Sequence, residues 1–488
     1  MKKQHRVHKY LFLLTAYILV ISLLLPGCSD KETVTTKPAP ETAEPPAPTE
    51  LEKSAEPIEP EIVVPHTQAI VGNRINSIRA SGVTGTTIGV GAFQIAWGDH
   101  FVKTVATENT VFTYAMQTYG GSFKAYMYSK KDGEEWREGV SFIAAKPPNL
   151  LVDSKDYVHL IAFEPYDLDD EYMGRLFHIK FDQPNTVSGT YTFEYITPDT
   201  RETGWALDTC ATWYYGASID KNDVIMVAYT NAFVYEGDPA SRTISARIYN
   251  PTTGEWTYET VATHLPSQFC YPFVAATDGY FHVLATEDEY DASLEGTGYP
   301  FRYGIIKHFQ RAKNSDKWVE STLIDMNETL TSQEIHELWF RHYELLIDQK
   351  GTVHVIILYC TDDNGNPCAC TENPPKAYHY WKAESGTIWQ SEPAIDTSCG
   401  WLRIWEREDG KLFYVYSKWG EQLCLIPFGT TQRYIISDLV SPYIDQPNPF
   451  VAAARGGTNP GSILNLVVFS GTLACEGVAI SVDTSVIE

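Results

Sequence analysis

Seven short runs of alternating apolar and polar residues recur along the chain, and this repeat constrains the fold more than any other feature. The clearest copies are residues 156–163, 279–285 and 351–358. Alternation of this kind between Gly, Asp and Asn turns is the pattern of a half-buried β-strand. The positions that align across the seven copies are Phe112, His159, Ile225, His282, His354, Phe413 and Asn465.

The spacing of the repeat indicates its architecture. Successive aligned positions lie 47 to 72 residues apart, and most copies have one further strand before them and two after them. Four short strands at this period form one blade of a β-propeller, so the sequence predicts an all-β protein of seven four-stranded blades. Rings of six or eight blades are the alternatives.

Closure of the ring requires a strand from elsewhere in the chain. The last repeat leaves room for only three strands before Glu488. We expect the segment 86–97 to supply the missing outer strand, because closure removes sheet edges that would otherwise pair with other chains.

The first residues of the chain form an export signal. Positive charges precede an uncharged apolar run at 11–25, which ends at Leu25-Pro26-Gly27-Cys28. This order predicts a signal peptide at 1–27. The tetrad resembles a lipobox, so we expect Cys28 to be acylated and to anchor the domain to the cell membrane, in an extracellular or periplasmic location. The alternatives are a plain secretory signal and an uncleaved anchor, which also place the domain outside the membrane.

Residues 28–66 form a predicted stalk. Between positions 29 and 66 there are eight prolines, nine acidic residues, three lysines and no aromatic residue. A segment of this composition buries too little apolar surface to fold, and its prolines favour an extended spacer. The propeller domain therefore spans 67–488.

Several turns carry a recognisable motif. Ser129–Trp136 has Ser, Gly and Trp at the places of Ser-x-Asp-x-Gly-x-x-Trp, and Lys382–Trp389 has Glu384 at the acidic place. Residues 250–256 and 314–318 are looser copies. These turns resemble the Asp-box, or BNR repeat, of sialidase-like β-propellers. The resemblance implies a fold in which the acidic side chain caps a turn and the Trp packs between blades. It does not imply sialidase activity, since the chain lacks an Arg-Ile-Pro near the domain start.

Eight cysteines remain after Cys28. An even number in an oxidising compartment favours disulfides. Cys210 and Cys270 precede the repeated strands of consecutive blades, so we expect them to pair. A zinc site at Cys368-Ala-Cys370 is disfavoured, because the spacing is too short and a second pair is missing.

The blade-linking loops should meet at one end of the channel and hold the functional residues. Predicted catalytic residues are His264, Tyr271, His336 and His342. Predicted substrate-binding residues are Asp99, Arg201, Trp205, Arg341, Trp401 and Tyr443. The repeated histidines are instead predicted to be structural. For Arg341, the alternative to a ligand is an ion pair with Glu337 or Glu344.

The residue types in these loops suit a carbohydrate, since sugar rings stack on aromatic faces and bond to polar groups. A net charge of −25 argues against nucleic acid. Two function classes remain: a polysaccharide lyase or glycoside hydrolase, and a non-catalytic scaffold that binds a glycan or a protein. We expect a monomer without a cofactor, with structural calcium as an option at the acidic loops 167–171, 236–238, 287–289 and 362–363.

Overall fold

The computed structural model defines the propeller domain but not the segment before it. It describes residues 77–79, 83–90, 100–119, 122–167, 170–199, 210–231, 242–264, 267–294, 301–327, 330–331, 334, 341–361, 368, 375–395, 401–417, 423–437, 447–470 and 476–487. Within these ranges no helix is long and apolar enough to cross a membrane. The predicted signal peptide, Cys28 and the stalk at 28–66 lie outside the described residues and stay predictions.

The described chain is mostly strand, with two short 3-10 turns at Ala292–Leu294 and Ala454–Gly456 and a helical residue at Glu334. It begins with β1 (Ser77–Arg79) and β2 (Val83–Val90). Blade I is β3 (Thr104–Ala106), β4 (Thr110–Tyr119), β5 (Ser122–Lys131) and β6 (Arg137–Ile143). Blade II is β7 (Asn149–Val152), β8 (Val158–Asp167), β9 (Asp170–Phe181) and β10 (Tyr191–Tyr195). Blade III is β11 (Cys210–Ile219), β12 (Ile225–Asn231), β13 (Ile244–Asn250) and β14 (Glu255–Ala262).

The remaining blades follow the same order. Blade IV is β15 (Gln268–Ala276), β16 (Tyr280–Tyr290), β17 (Phe301–Ala312) and β18 (Val319–Asp325). Blade V is β19 (Arg341–Ile347), β20 (Thr352–Tyr359), β21 (Lys376–Ala383) and β22 (Gln390–Pro393). Blade VI is β23 (Trp401–Glu406), β24 (Leu412–Ser417), β25 (Leu423–Pro427) and β26 (Arg433–Ser437). Blade VII contains β27 (Pro447–Val451), β28 (Ile463–Ser470) and β29 (Glu476–Asp483).

The ring has seven blades, as the repeat predicts. Each of the seven aligned positions lies in the second strand of its blade, from β4 to β28. The first strand of each blade is the innermost one. These first strands contact one another from blade to blade in an unbroken circle, beginning with β3 and β7 and ending with β27 and β3. This closed order confirms seven blades and excludes six or eight.

The N-terminal strand closes the ring, as expected. β2 pairs antiparallel with β29, from Val83 opposite Val482 to Val90 opposite Glu476. It therefore forms the outer strand of blade VII, starting three residues earlier than the predicted segment. β1 adds a fifth strand to blade VI by pairing parallel with β26, which the sequence does not predict.

Tryptophans join consecutive blades at the motif-bearing hairpins. Trp256 Nε1 donates to Glu194 of blade II at 3.0 Å, and Trp389 Nε1 donates to Ser321 of blade IV at 3.3 Å. This confirms the predicted packing between blades. The acidic position behaves differently, because Glu384 binds His282 of blade IV instead of capping its own turn. A long Glu side chain reaches the neighbouring blade, so the turn-cap expectation is wrong here.

The repeated histidines are structural, as predicted. His159 Nδ1 lies 2.9 Å from His178 Nε2, and its other nitrogen lies 3.3 Å from Asp153. Blade V repeats this arrangement at the same distances with His354, His379 and Asp348. In blade IV, His282 lies 3.2 Å from His308 and 2.9 Å from Glu384. All six rings are buried, so these pairs lie inside the sheets.

Candidate functional site

A turn from blade VII lies in the channel, against the innermost strands of other blades. After β27 the chain forms the 3-10 turn Ala454–Gly456, called here the channel turn, which contacts β7, β11, β15 and β19. A side chain on Gly456 would meet Val102 and Val105, and Gly457 adopts φ +88°. Only glycines fit this approach. The channel turn therefore forms a floor between the innermost strands, and the starting ends of these strands are called here the channel mouth.

Arg455 of the channel turn connects the floor to three blades. Its buried guanidinium donates to the carbonyl of His100 at 3.0 Å and pairs with Glu344 of blade V at 3.4 Å. It also lies 5.4 Å from the ring centre of Phe273 in blade IV. A charge buried in this way needs a partner and several polar contacts, so the contacts of Arg455 hold the channel turn in place between the blades.

Tyr271 lies over this floor in an uncommon backbone conformation. Its φ is +53°, at a register shift of the β15–β16 pair between Cys270 and Phe273. Bulky residues in the left-handed region are strained, and such strain clusters at functional sites. Its ring centre lies 5.7 Å from His100, at the start of blade I. Blades I and IV are not neighbours in the ring, so this contact places Tyr271 across the channel.

A second tyrosine and an arginine flank Tyr271. The rings of Tyr214 and Tyr271 lie 5.2 Å apart, edge to face. The guanidinium of Arg242 lies 4.6 Å from the centre of the Tyr214 ring. Burial is the main cause that raises the pKa of Tyr214. Tyr214 therefore stays a neutral phenol beside the half-buried Arg242 and Tyr271.

Cys270 belongs to the same group and carries a free thiol. It accepts from Arg242 at 3.7 Å and donates to Asp288 at 3.5 Å. Burial and the negative charge of Asp288 raise the pKa of Cys270, so it remains a thiol. The predicted Cys210–Cys270 disulfide is therefore wrong: the buried thiol is free and hydrogen-bonds to Arg242 and Asp288. Cys368 and Cys424 are also free, whereas Cys360 is disulfide-bonded.

The described surroundings of the channel mouth are basic in an acidic chain. Five cationic side chains lie on or near the innermost strands, where the described carboxylates include Asp288, Glu344 and Glu406. The cations are Lys103, Lys146, Arg242, Arg403 and Arg455. Lys103 and Arg403 both lie over the Phe450 ring, at 3.8 and 5.0 Å. Because the whole chain carries −25, this local excess favours an anionic ligand at the mouth.

Several residues predicted for the site start innermost strands. Tyr271 lies in β15, and Trp401 is the first residue of β23. Arg341 and His342 are the first two residues of β19, opposite Leu358 and Ile357, although their side chains are outside the described part. Asp99, Arg201, Trp205, His336 and Tyr443 lie outside the described residues altogether.

His264 lies in the loop that links β14 of blade III to β15 of blade IV. Its two nitrogens lie 2.8 Å from Glu287 and 3.0 Å from Glu320, and Glu320 belongs to the outer strand β18. These contacts hold His264 against blade IV rather than against the Tyr271 group. Tyr214, Arg242 and Arg455 were missed by the sequence reasoning, because no local motif marks them.

The predicted calcium option is only partly described. Glu287 pairs with His264, Asp288 binds Cys270, and Glu289 accepts from Asn327 at 2.6 Å. In the described part of the chain, no three His, Cys, Asp or Glu residues are arranged to hold a metal ion. The side chains of the other acidic loops lie outside that part, so calcium there stays a prediction.

Comparisons with known proteins support the architecture alone. No protein-family model matches the chain, and no curated protein matches it. The polysaccharide lyase Uly1 superposes with a TM-score of 0.51 and 9% identity, covering 86% of this chain and 94% of the lyase. A puromycin-hydrolyzing peptidase of Mycobacterium tuberculosis gives 0.44 with 10% identity, covering 82% of this chain and 55% of the peptidase. A thermostable family-43 glycoside hydrolase gives 0.32 with 11% identity, covering 64% of this chain and 96% of the hydrolase.

Identities this low show the fold and nothing further, and the two scores below 0.5 carry no argument. The chain is a seven-bladed β-propeller. Its resemblance to the Asp-box propellers stays a prediction.

Proposed function

We propose that the channel mouth binds an acidic polysaccharide and cleaves it by β-elimination. The observation that carries the proposal is Tyr271, a strained phenol held across the channel beside His100, Tyr214 and Arg242. The superposition on a polysaccharide lyase is consistent with this proposal, because it shows that a similar fold can carry lyase activity.

The electrostatics of the mouth support an anionic sugar. Eliminating a uronate requires a cation at the carboxylate, because negative charge builds up there once the neighbouring carbon loses its proton. Arg242 is half-buried above Tyr214, where its planar fork can pair with a carboxylate through two bonds. Arg341 retains its predicted role as a second carboxylate partner.

The proposed reaction needs one base and one acid. The base removes the proton on the carbon next to the carboxylate, and the carbon–oxygen bond to the leaving sugar breaks as a double bond forms. The leaving oxygen takes up a proton, so no water is consumed. We assign proton donation to Tyr271 and proton removal to His342, whose type of side chain titrates near neutrality.

The described carboxylates fit a hydrolase less well. A glycoside hydrolase needs two carboxyl groups on either side of the bond. At the described mouth, Asp288 and Glu344 are buried and engaged by Cys270 and Arg455. The predicted carboxylate at Asp99 lies outside the described residues.

The test measures cleavage of acidic and neutral polysaccharides by the purified protein. Ultraviolet absorbance of new unsaturated ends should rise with polygalacturonate, alginate or another uronate polymer. Tyr271→Phe should lower turnover at least about a hundredfold, since it removes the transferable proton and keeps the ring. Tyr258→Phe, on the outer strand β14, is the matched control and should match the wild type.

Each other outcome assigns a different function. New reducing ends without double bonds would identify a hydrolase, and binding without cleavage would identify a non-catalytic glycan scaffold. Wild-type turnover by Tyr271→Phe would show that Tyr271 is not the acid.

We also propose that Cys28 carries the lipid that anchors the protein. The motif at 25–28 supports this. Cells that produce the wild type should incorporate a fatty-acid probe into the protein, and Cys28→Ala should abolish labelling and release the protein from membranes. An unlabelled wild type would contradict the proposal.

A further inference from the structure

We propose that blade II carries a second carbohydrate-binding surface, separate from the channel mouth and suited to a neutral glycan chain. It consists of Tyr191, Phe193 and Tyr195 on the outer strand β10, called here the aromatic ladder. These side chains are 40%, 49% and 40% exposed, although large aromatic residues are usually far more buried. The inference does not depend on the activity of the mouth.

The three rings form one row. Alternate residues of a strand point to the same face, and the ring centres of Phe193 and Tyr195 lie 5.0 Å apart, edge to face. Within the described chain β10 pairs only with β9, so the row lies at the edge of the blade. A row of exposed rings along a sheet edge is a liability for aggregation unless something covers it.

The ladder is fixed from below. Tyr191 contacts Phe181 with ring centres 5.9 Å apart, and Phe193 contacts Phe177 at 5.2 Å. Phe177 and Phe181 are buried in the core between blades I and II. The exposed rings therefore lose little conformational freedom when a ligand stacks on them, which favours binding.

Polar groups border one end of the ladder. The Tyr195 hydroxyl donates to Glu164 at 2.9 Å, and Arg175 lies 3.4 Å from the centre of the Tyr195 ring. Arg175 also pairs with Glu164 at 2.9 Å and with Asp199 at 3.5 Å. Two carboxylates against one guanidinium leave this border negative. Carboxylate oxygens accept bonds from sugar hydroxyls but repel an acidic sugar, so the ladder selects neutral glycans.

The size of the ladder also argues for a narrow ligand. Three aromatic side chains exposed to this degree present on the order of 300 Å². A stable protein partner covers roughly 800 Å² on each side. A single polysaccharide strand that follows β10 needs no more than the row provides. The acidic mouth ligand and the neutral ladder ligand then bind to different surfaces.

The test is isothermal titration of the purified protein with galactomannan and hydroxyethyl cellulose, compared with polygalacturonate. Phe193→Ala should lower the affinity for a neutral polymer about tenfold, whereas Phe193→Trp should retain it. The matched control is Tyr258→Ala. Tyr258 is also 40% exposed, lies on the outer strand of blade III and has a guanidinium 5.0 Å from its ring, but it is not part of the row. Its replacement should leave the affinity unchanged.

Tyr271→Phe separates this proposal from the proposed function, because it should leave neutral-glycan binding intact. The melting temperature of each variant shows whether it is folded. The proposal is overturned if the wild type binds neither neutral polymer, if Phe193→Ala binds as the wild type does, or if Tyr258→Ala loses equal affinity. A dimer that Phe193→Ala dissociates would also overturn it, by assigning the ladder to a second copy of the chain.

Discussion

The blade interiors and the channel mouth use the same kinds of side chain in opposite ways. Inside blades II, IV and V, histidines form buried pairs that end on Asp153, Glu384 and Asp348. At the mouth, Tyr271 is half-buried, has φ +53° and contacts residues of other blades. The first arrangement pairs each ring with a second histidine inside the blade, whereas the second holds a reactive type of group at a surface.

The difference lies in what surrounds the titratable groups. Burial lowers the pKa of His159 and of His379 to about 4, so both rings stay neutral at physiological pH. A neutral, buried histidine that hydrogen-bonds to a second ring is a stabilising element and not an acid or base. Perturbed titration alone therefore does not locate the site in this protein, and geometry across the channel does.

The largest expected effect comes from breaking a blade-interior pair. Asp153 accepts from the backbone of Lys155 and Tyr157, each at 2.9 Å, and contacts His159 and Lys180. Asp153→Ala should lower the free energy of unfolding by about 4 kcal/mol, because it leaves buried partners unsatisfied. Denaturant melting measures this. The exposed Asp132→Ala should cost under about 0.5 kcal/mol. Equal losses for Asp153→Ala and Asp132→Ala would show that the buried histidine pairs do not contribute more than an exposed turn.

The contribution of the buried histidines to the free energy of unfolding should be complete near neutral pH and should fall in acid. The folded-state pKa of His159 lies below its usual 6.5, so this contribution is complete above pH 6.5 and is lost as the pH falls towards 4. The loss amounts to about 3 kcal/mol, or about 1.4 kcal/mol per pH unit. His159→Gln, which cannot titrate, should show a shallower decline of stability in denaturant melts between pH 6.5 and 4. An unchanged slope would mean that His159 is protonated in the folded protein.

A smaller effect should separate two tryptophans. Trp256 donates to Glu194, whereas Trp136 Nε1 has no hydrogen-bond partner among the described residues. Both replacements change an indole ring to a phenyl ring. Because only Trp256→Phe also removes a hydrogen bond, it should lower the free energy of unfolding by about 1 kcal/mol more than Trp136→Phe does. Thermal melts of the two variants measure the difference. A larger loss for Trp136→Phe would contradict the assigned contacts.

The smallest effect on stability is expected at the mouth. Asparagine tolerates the left-handed region, so in Tyr271→Asn the relief of strain should offset most of the lost ring contacts. We expect a change under about 1 kcal/mol in denaturant melting, with loss of turnover. A variant that unfolds would place Tyr271 among the structural residues instead.

Sequence reasoning was strongest where structure is local and periodic. The seven aligned positions, the closing strand near 86 and the tryptophans between blades all follow from short patterns that repeat with the blade. The acid of the Asp-box-like turn at Glu384 failed, because the motif does not say whether a side chain bonds its own turn or the next blade. Cys210 and Cys270 failed for a similar reason: nearby strand positions do not fix where a buried thiol points.

The class of fold follows from the amino-acid pattern, since strand alternation and turn residues act within a few residues and the blade repeats seven times. The same pattern placed Tyr271, Arg341, His342 and Trp401 in the blade-linking loops, whereas all four lie within innermost strands. Only the tertiary structure decided that Tyr271 reaches His100, that Arg455 closes the channel floor and that Tyr191, Phe193 and Tyr195 stay exposed. These contacts and exposures depend on which blades lie opposite or next to one another in the ring. Contacts between residues so far apart in sequence leave no periodic trace in the chain.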